Sequence, residues 1–269
     1  MTRSGNLIPR HTHITIPSPL TVNLEFLTIA KVKMTVKAKT YILPPTALIP
    51  NSPYPLIHYR GLVRDTVTSP SFSTSQIFDL FLQHGWQTQW IARYGPDIQS
   101  HYHSTTHECM AVISGGSATI RFGVADQEDW KAGLLPVGHR GKGEEGGLDI
   151  NAEVGDVFII PAGVSHKTFS PSPNKEELAF HQPSDIEQGK AKENLDGESV
   201  ERHRRFFEQV PVQGEFMMMG AYPKGGVWDF KIGGEHEGKE RVVWDVPVPG
   251  EDPVLGGSEE GLPGLWKVR

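Results

Sequence analysis

Two histidines one residue apart, His101 and His103, stand shortly before an acid, Glu108, that opens an apolar run, and a third histidine, His166, follows a Pro-Ala-Gly turn well downstream. Three imidazoles and one carboxylate converging on a point are a ligand set for one divalent transition metal (Fe, Mn, Zn or Ni), softer than a Mg²⁺ or Ca²⁺ cage and harder than a thiolate site. Residues i and i+2 of an extended segment share a face, so His101 and His103 point the same way, and the Ser104-Thr105-Thr106 turn brings Glu108 back beside them. Four protein ligands on an octahedral-preferring ion leave two positions for water, oxygen or a bidentate substrate. With a redox-active ion the centre would activate dioxygen; with an ion used as Lewis acid it would polarise a carbonyl or enediol for isomerisation, epimerisation or hydrolysis. Only neutral imidazole binds metal, so occupancy is expected to fall below about pH 6. Candidates for proton transfer are His107 and Tyr94, with Tyr102 and Tyr222 also near the motifs or in a late strand. His107 competes with Glu108 for the carboxylate's place, but adjacent strand residues face opposite ways, so only one of them points inward.

The segments that must hold these groups read as β structure. Twenty-nine glycines and twenty-one prolines separate short runs rich in Val, Ile, Phe and Thr. SATIRFG over 117–123 alternates as a half-buried strand should, VFII over 157–160 is a short apolar strand, and FMMMGAYP over 216–223 is another, whose three methionines alternate faces and serve packing. Helices are expected only over 75–84, stopped by Gly85, and over 198–209. Residues 124–151 read as a long polar loop in which His139, Arg140 and Lys142 are exposed, and 171–213 as a charged insertion. The proline-dense stretch 40–63 reads as extended segments with a structural His58, Trp90, Arg93 and Tyr94 are placed to rim a pocket, and Trp244 and Trp266 are expected to pack back on the domain. Residues 1–36 form an extension whose Arg, Lys, Ser and Thr content resembles a targeting segment but which also accommodates a strand or two, with Met34 as an alternative start.

A net charge of −6 and the lack of a basic stripe with exposed aromatics argue against a nucleic-acid partner, and no apolar run approaches the ~20 residues of a membrane span. The single cysteine, Cys109, excludes an internal disulfide and reads as a buried small hydrophobe, which fits a cytoplasmic location. There is no phosphate-binding glycine loop, dinucleotide fingerprint or nucleophile elbow.

The two metal-bearing stretches resemble the paired motifs of the cupin (RmlC-like) superfamily. Gly95, His101, His103, Glu108 and Gly115 fall on every fixed position of the first, and Gly155, Pro161, Gly163 and His166 on those of the second, whose final Asn is here Ser170. The phrases IPNSPYPLIHYRG, HYHSTTHE, MMMGAYP with a following WD, and VPVPGEDPV are further similar to YjlB-type cupins, a largely uncharacterised group, over roughly 40–170 and 215–269. This resemblance implies an all-β fold, a double-stranded β-helix or jelly-roll barrel with a few peripheral helices, comprising residues 37–269. It implies metal binding by His101, His103, Glu108 and His166 inside the barrel mouth, and its spacing selects Glu108 over His107, leaving the latter as a supporting hydrogen-bond partner. The expected function is an oxygenase- or isomerase-type enzyme acting on a small polar organic substrate, with a homodimer as the expected assembly. The alternative is a non-catalytic cupin that binds or senses a small molecule around a structural metal.

Overall fold

In a computed structural model of the chain, residues 37–128, 131, 133–136, 139, 143–175, 177–187 and 196–267 are described. The extension over 1–36, with its targeting and strand readings and Met34, lies outside the described residues, as do Arg140 and Lys142. The strands are β1 (Ala38–Tyr41), β2 (Leu56–Tyr59), β3 (Trp86–Arg93), β4 (Glu108–Ser114), β5 (Ser117–Phe122), β6 (Leu148–Glu153), β7 (Val157–Ile160), β8 (His166–Ser172), β9 (Ala179–His181) and β10 (Met217–Pro223). The helices are α1 (Arg64–Val67), α2 (Thr74–Gln83), α3 (Ser184–Glu187), α4 (Gly197–Glu208), α5 (Glu240–Trp244) and α6 (Leu262–Leu265). No helix among the described residues is long and apolar enough to cross a membrane.

Backbone hydrogen bonds join these strands into two antiparallel sheets. The larger runs β1-β2-β7-β4-β10-β3-β9 and the smaller β6-β5-β8. Between them lies one core, in which Met110, Val112, Phe158, Ile160 and Met218 meet Ala118, Ile120, Phe122, Ile150 and Ala152. The intervening residues of the same strands, Cys109, Ala111, Ile113, Val157, Ile159, Met217 and Met219, face a second core closed by Phe78 and Phe81 of α2 and Phe207 of α4. The large sheet is therefore apolar on both faces, which explains why β4 and β7 are continuous apolar runs without alternation. This is the all-β jelly-roll architecture, a double-stranded β-helix with peripheral helices. The methionines of β10 pack into both cores, as their alternation requires.

The longer helices begin and end where their sequences say they should. Ser73 caps α2 in a reciprocal box with Gln76, and Gly85 follows the helix at φ +73°. Three segments differ from expectation. The loop over 124–151 ends in β6, whose inward signal is only Ile150 and Ala152 and is masked by neighbouring polar and glycine residues. The segment after 171 first completes β8 and then supplies β9, a three-residue edge strand too short for any periodicity to show. The proline-dense stretch is extended as expected but is not all surface wrapping: it holds the end of β1 and a fully buried β2, its prolines lying outside both strands. His58 has the structural role expected of it, with Nε2 3.0 Å from Asp156 Oδ2 and its ring stacked on Phe158.

Candidate metal centre

The histidine segment runs between β3 and β4 and is stitched to the opposite sheet at one point. The His101 N–H donates to the His166 carbonyl at 3.1 Å and the His166 N–H donates back to the His101 carbonyl at 2.8 Å, so the first ligand segment and the first residue of β8 are held side by side. The turn before β8 adds a third tie, from the Gly163 N–H to the His103 carbonyl at 2.9 Å. Gly163 sits at φ +86°, and a Cβ there would lie 2.6 Å from the Asn51 carbonyl oxygen, so the Pro-x-Gly of the motif is a backbone requirement.

All three imidazoles are buried and their ligand atoms lie within 4.8 Å of one another. Each ring is oriented through Nδ1. That of His103 donates to the Asp229 carbonyl at 2.5 Å, that of His101 to the Gln99 carbonyl at 3.2 Å, and that of His166 lies 3.4 Å from the Val164 carbonyl. With the proton on Nδ1, Nε2 is the free donor to a metal, and backbone carbonyls fix that tautomer. Asp229 also accepts from the Ser104 N–H and hydroxyl at 2.7 and 2.6 Å, clamping the turn after His103.

Glu108, 1% exposed, lies against two of these imidazoles. Its Oε2 lies 3.0 Å from His166 Nε2 and 3.4 Å from His103 Nε2, while Oε1 accepts from the Tyr222 hydroxyl at 2.5 Å. The Tyr222 oxygen in turn accepts from Trp90 Nε1 at 2.8 Å. Both His103 Nε2 and Glu108 Oε2 are buried without an aligned hydrogen-bond partner. Two facing, buried, unsatisfied ligand atoms beside two further imidazoles fit a divalent cation, which would satisfy all of them at once. Electrostatics agree: burial alone would raise the Glu108 carboxyl, but His103 and His166 hold it well below the usual carboxylate range. Burial would lower His103, yet Glu108 and the Asp229 carbonyl hold it above the ordinary imidazole value; His101 is driven well below that value by burial and by the two neighbouring imidazoles.

The proton-transfer candidates divide. Tyr94 and Tyr222 line the cavity over the centre. Burial, reinforced by the Glu108 charge, pushes both phenols upward, so they stay protonated. The structure does not bring His107 to this cavity. Strand parity turns its ring to the other face of β4, where Nδ1 accepts from the Ala162 N–H at 2.9 Å, the ring packs 4.8 Å from that of Trp266, and burial lowers its pKa to about 4. Tyr102 likewise turns away, into a small cluster with Ile49 and Ala125. Trp90 lines the cavity as expected, whereas Arg93 does not, and His139 is exposed. Sequence reasoning missed Asp229, Trp228 and Phe230; Phe230 stacks on His101 at 3.9 Å. The only signal for them was the Trp-Asp pair after β10, which carries no ligand spacing.

The cavity holds about 360 Å³ and is walled mainly by apolar side chains, among them Trp90, Met110, Leu178, Phe180, Trp228 and Phe230.

No known family model matches the chain. It is 28% identical over 233 residues to the uncharacterized protein YjlB of Bacillus subtilis (strain 168), covering 86% of this chain and 97% of that protein. Among solved structures it is similar to an 11S globulin from Wrightia tinctoria with an auxin binding site, at 12% identity and a TM-score of 0.24 over 58% of this chain and 29% of the globulin. It is also similar to procruciferin, an 11S globulin from Brassica napus, at 11% identity and a TM-score of 0.22 over 75% of this chain. The match spans 46% of procruciferin, so the chain covers less than half the length of either globulin. YjlB has no assigned reaction, and the chemistry of this chain rests on its site.

Proposed function

We propose that the chain is a metal-dependent member of the cupin superfamily in which His101, His103, His166 and Glu108 hold one divalent transition metal beside a small organic substrate. The observation that carries this reading is the pairing of two buried, unsatisfied ligand atoms, His103 Nε2 and Glu108 Oε2, inside a set of three imidazoles each turned by its own backbone carbonyl. When bound, the metal would supply either dioxygen activation or Lewis-acid polarisation of a substrate oxygen. Trp90 and Tyr222 fix the Glu108 carboxylate, Asp229 fixes His103, and the apolar walls exclude water from the reacting end. Tyr94 keeps its proton and is suited to donate a hydrogen bond to a bound oxygen.

Oxidation by dioxygen takes precedence over isomerisation for a specific reason. Isomerisation needs a base, and among the described cavity residues the carboxylate and imidazoles belong to the metal set while the phenols are held protonated. The same lack of a base favours, as second reading, a non-catalytic protein that captures a small molecule on its metal. Elemental analysis of purified protein followed by oxygen uptake after anaerobic Fe(II) loading, against a metabolite panel, separates the two. Stoichiometric metal with substrate-dependent oxygen uptake is expected; tightly held zinc with no uptake on any substrate overturns the oxygenase and leaves the binding protein.

A further inference from the structure

Resting on the proposed metal centre, in which four protein ligands would leave an octahedral ion two open positions, we infer that the bound molecule has an apolar body of one or two rings, a pair of adjacent oxygens at the metal end, and no second charged or hydroxyl-rich end. The expectation of a polar substrate is thereby confined to one end of the ligand.

The first ground is what the wall lacks. Among the described residues lining the cavity none is Lys or Arg, and the ionisable groups are the four metal-ligand candidates and two tyrosines, Tyr94 and Tyr222. A second carboxylate or a phosphate would lose its water and meet no cation among the described residues, at a cost of several kcal/mol. The polyol face of a sugar fares little better, since each buried hydroxyl without a partner costs about 1–3 kcal/mol. Tyr222 already spends its hydroxyl on Glu108, and the Tyr94 and Thr168 hydroxyls are hydrogen-bonded to each other, which leaves Tyr94 to serve an oxygen of the bound molecule and no run of free partners for a polyol. Gln99 is the one amide in the lining; its Oε1 accepts from the Leu135 N–H at 2.8 Å, which fixes the flip and leaves the buried Nε2 unpartnered, enough for a single acceptor oxygen.

The second ground is what the wall offers. Phe180 lies 5.7 Å from Trp90 and 6.5 Å from Trp228, ring centre to ring centre, and the wall continues to Phe230 on the far side of His101. Phe180 and Phe230 remain 46% and 41% exposed, so aromatic surface at the mouth stands open to water until something apolar covers it. A cavity of about 360 Å³ is at the small end of ligand sites, which limits the body to one or two rings.

Three probes test the inference by titration calorimetry on metal-loaded and chelator-treated protein: 2,3-dihydroxynaphthalene, which has both body and oxygen pair; 2-methoxynaphthalene, which has the body alone; and oxalate, which has the oxygens alone and a second charge. The diol is expected to bind loaded protein at least about tenfold more tightly than oxalate, and 2-methoxynaphthalene to bind with or without metal. Phe180→Glu, a change at a half-exposed edge residue, should weaken both naphthalenes about tenfold and leave oxalate unchanged. If the protein takes no metal but both naphthalenes bind and are weakened by Phe180→Glu, the metal reading fails and the apolar-body inference stands. If metal binds stoichiometrically and oxalate matches or exceeds the diol, or Phe180→Glu leaves the naphthalenes unaffected, the inference is overturned and the metal reading stands.

Discussion

Replacing Tyr222 by phenylalanine removes one oxygen at the junction of cavity and metal centre. That oxygen donates to Glu108 Oε1 at 2.5 Å and accepts from Trp90 Nε1 at 2.8 Å, in a residue that is 1% exposed. A hydrogen bond to an ionised carboxylate contributes about 1.5–3 kcal/mol, and a buried indole N–H left without a partner costs about 1–3 kcal/mol more. Metal-free Tyr222→Phe should therefore lose about 2.5–6 kcal/mol, or roughly 5–24 °C in melting temperature for a domain of this size. Its metal affinity should fall about 10- to 100-fold, because the carboxylate loses the group that aims its second oxygen. Tyr59→Phe provides the control. The Tyr59 hydroxyl also donates to a buried carboxylate, Asp252 Oδ2 at 2.6 Å, but one that is tied to the backbone of Val254, Leu255 and Leu262 away from the metal set. That variant should lose about 1.5–3 kcal/mol with its metal affinity unchanged. Competition against a chromophoric chelator measures affinity, and scanning calorimetry on metal-free protein measures stability. If Tyr222→Phe melts earlier yet binds metal within about twofold of the parent, Glu108 is not a ligand oriented by Tyr222 and the ligand assignment must change.

Four further outcomes are expected. His103→Ala should abolish stoichiometric metal by elemental analysis, whereas His107→Ala should keep it and lose only stability, because its ring faces Ala162 and Trp266; retained metal in the first variant contradicts the assignment. In metal-free protein the native pKa of His103 is raised, so the stabilisation it gains from Glu108 is complete below the unfolded imidazole value and is lost as pH rises through the native one. Metal requires the neutral ring, so loading at about pH 6.5 should release a proton, with the release fading at higher pH; calorimetry in buffers of different ionisation enthalpy would detect it, and no release at that pH counts against the coupling. A Cβ at Gly220 would lie 2.0 Å from Trp90 Cε2, so Gly220→Ala should displace the indole, lower the melting temperature and weaken metal binding together; a normal melt would mean the indole can yield. Ser170 holds φ +51°, a conformation Asn tolerates better, and Ser170→Asn should raise stability by about 0.5–1 kcal/mol in chemical denaturation, a loss refuting the strain.

That last residue shows what the sequence does and does not reveal. The second motif ends in Asn elsewhere and in Ser here, and the positive φ explains why the position favours Asn without involving metal. The clustering of the candidate ligands was legible because imidazole spacing, a carboxylate at the head of an apolar run and a Pro-x-Gly turn are local features. Local parity allowed only one of Glu108 and His107 to point inward and the motif resemblance chose Glu108; the two side chains do point to opposite sides of β4. The groups that support the ligands were not legible. Asp229 reaches His103, Tyr222 reaches Glu108, and Phe230 reaches His101 only because β10 pairs with β4 and β3 and carries the following segment across the mouth. β6 and β9 were hidden for the opposite reason: they are short, with few inward side chains, and are strands only because a neighbour offers them hydrogen bonds.

The paired backbone bonds between His101 and His166 have a bearing on how the fold and the metal would depend on each other. They join the segment between β3 and β4 to the first residue of β8, and the imidazoles of those same two residues belong to the proposed ligand set. A metal held there would be a second fastener at a seam that peptide groups already close, so a chelator would remove one fastener and leave the other in place.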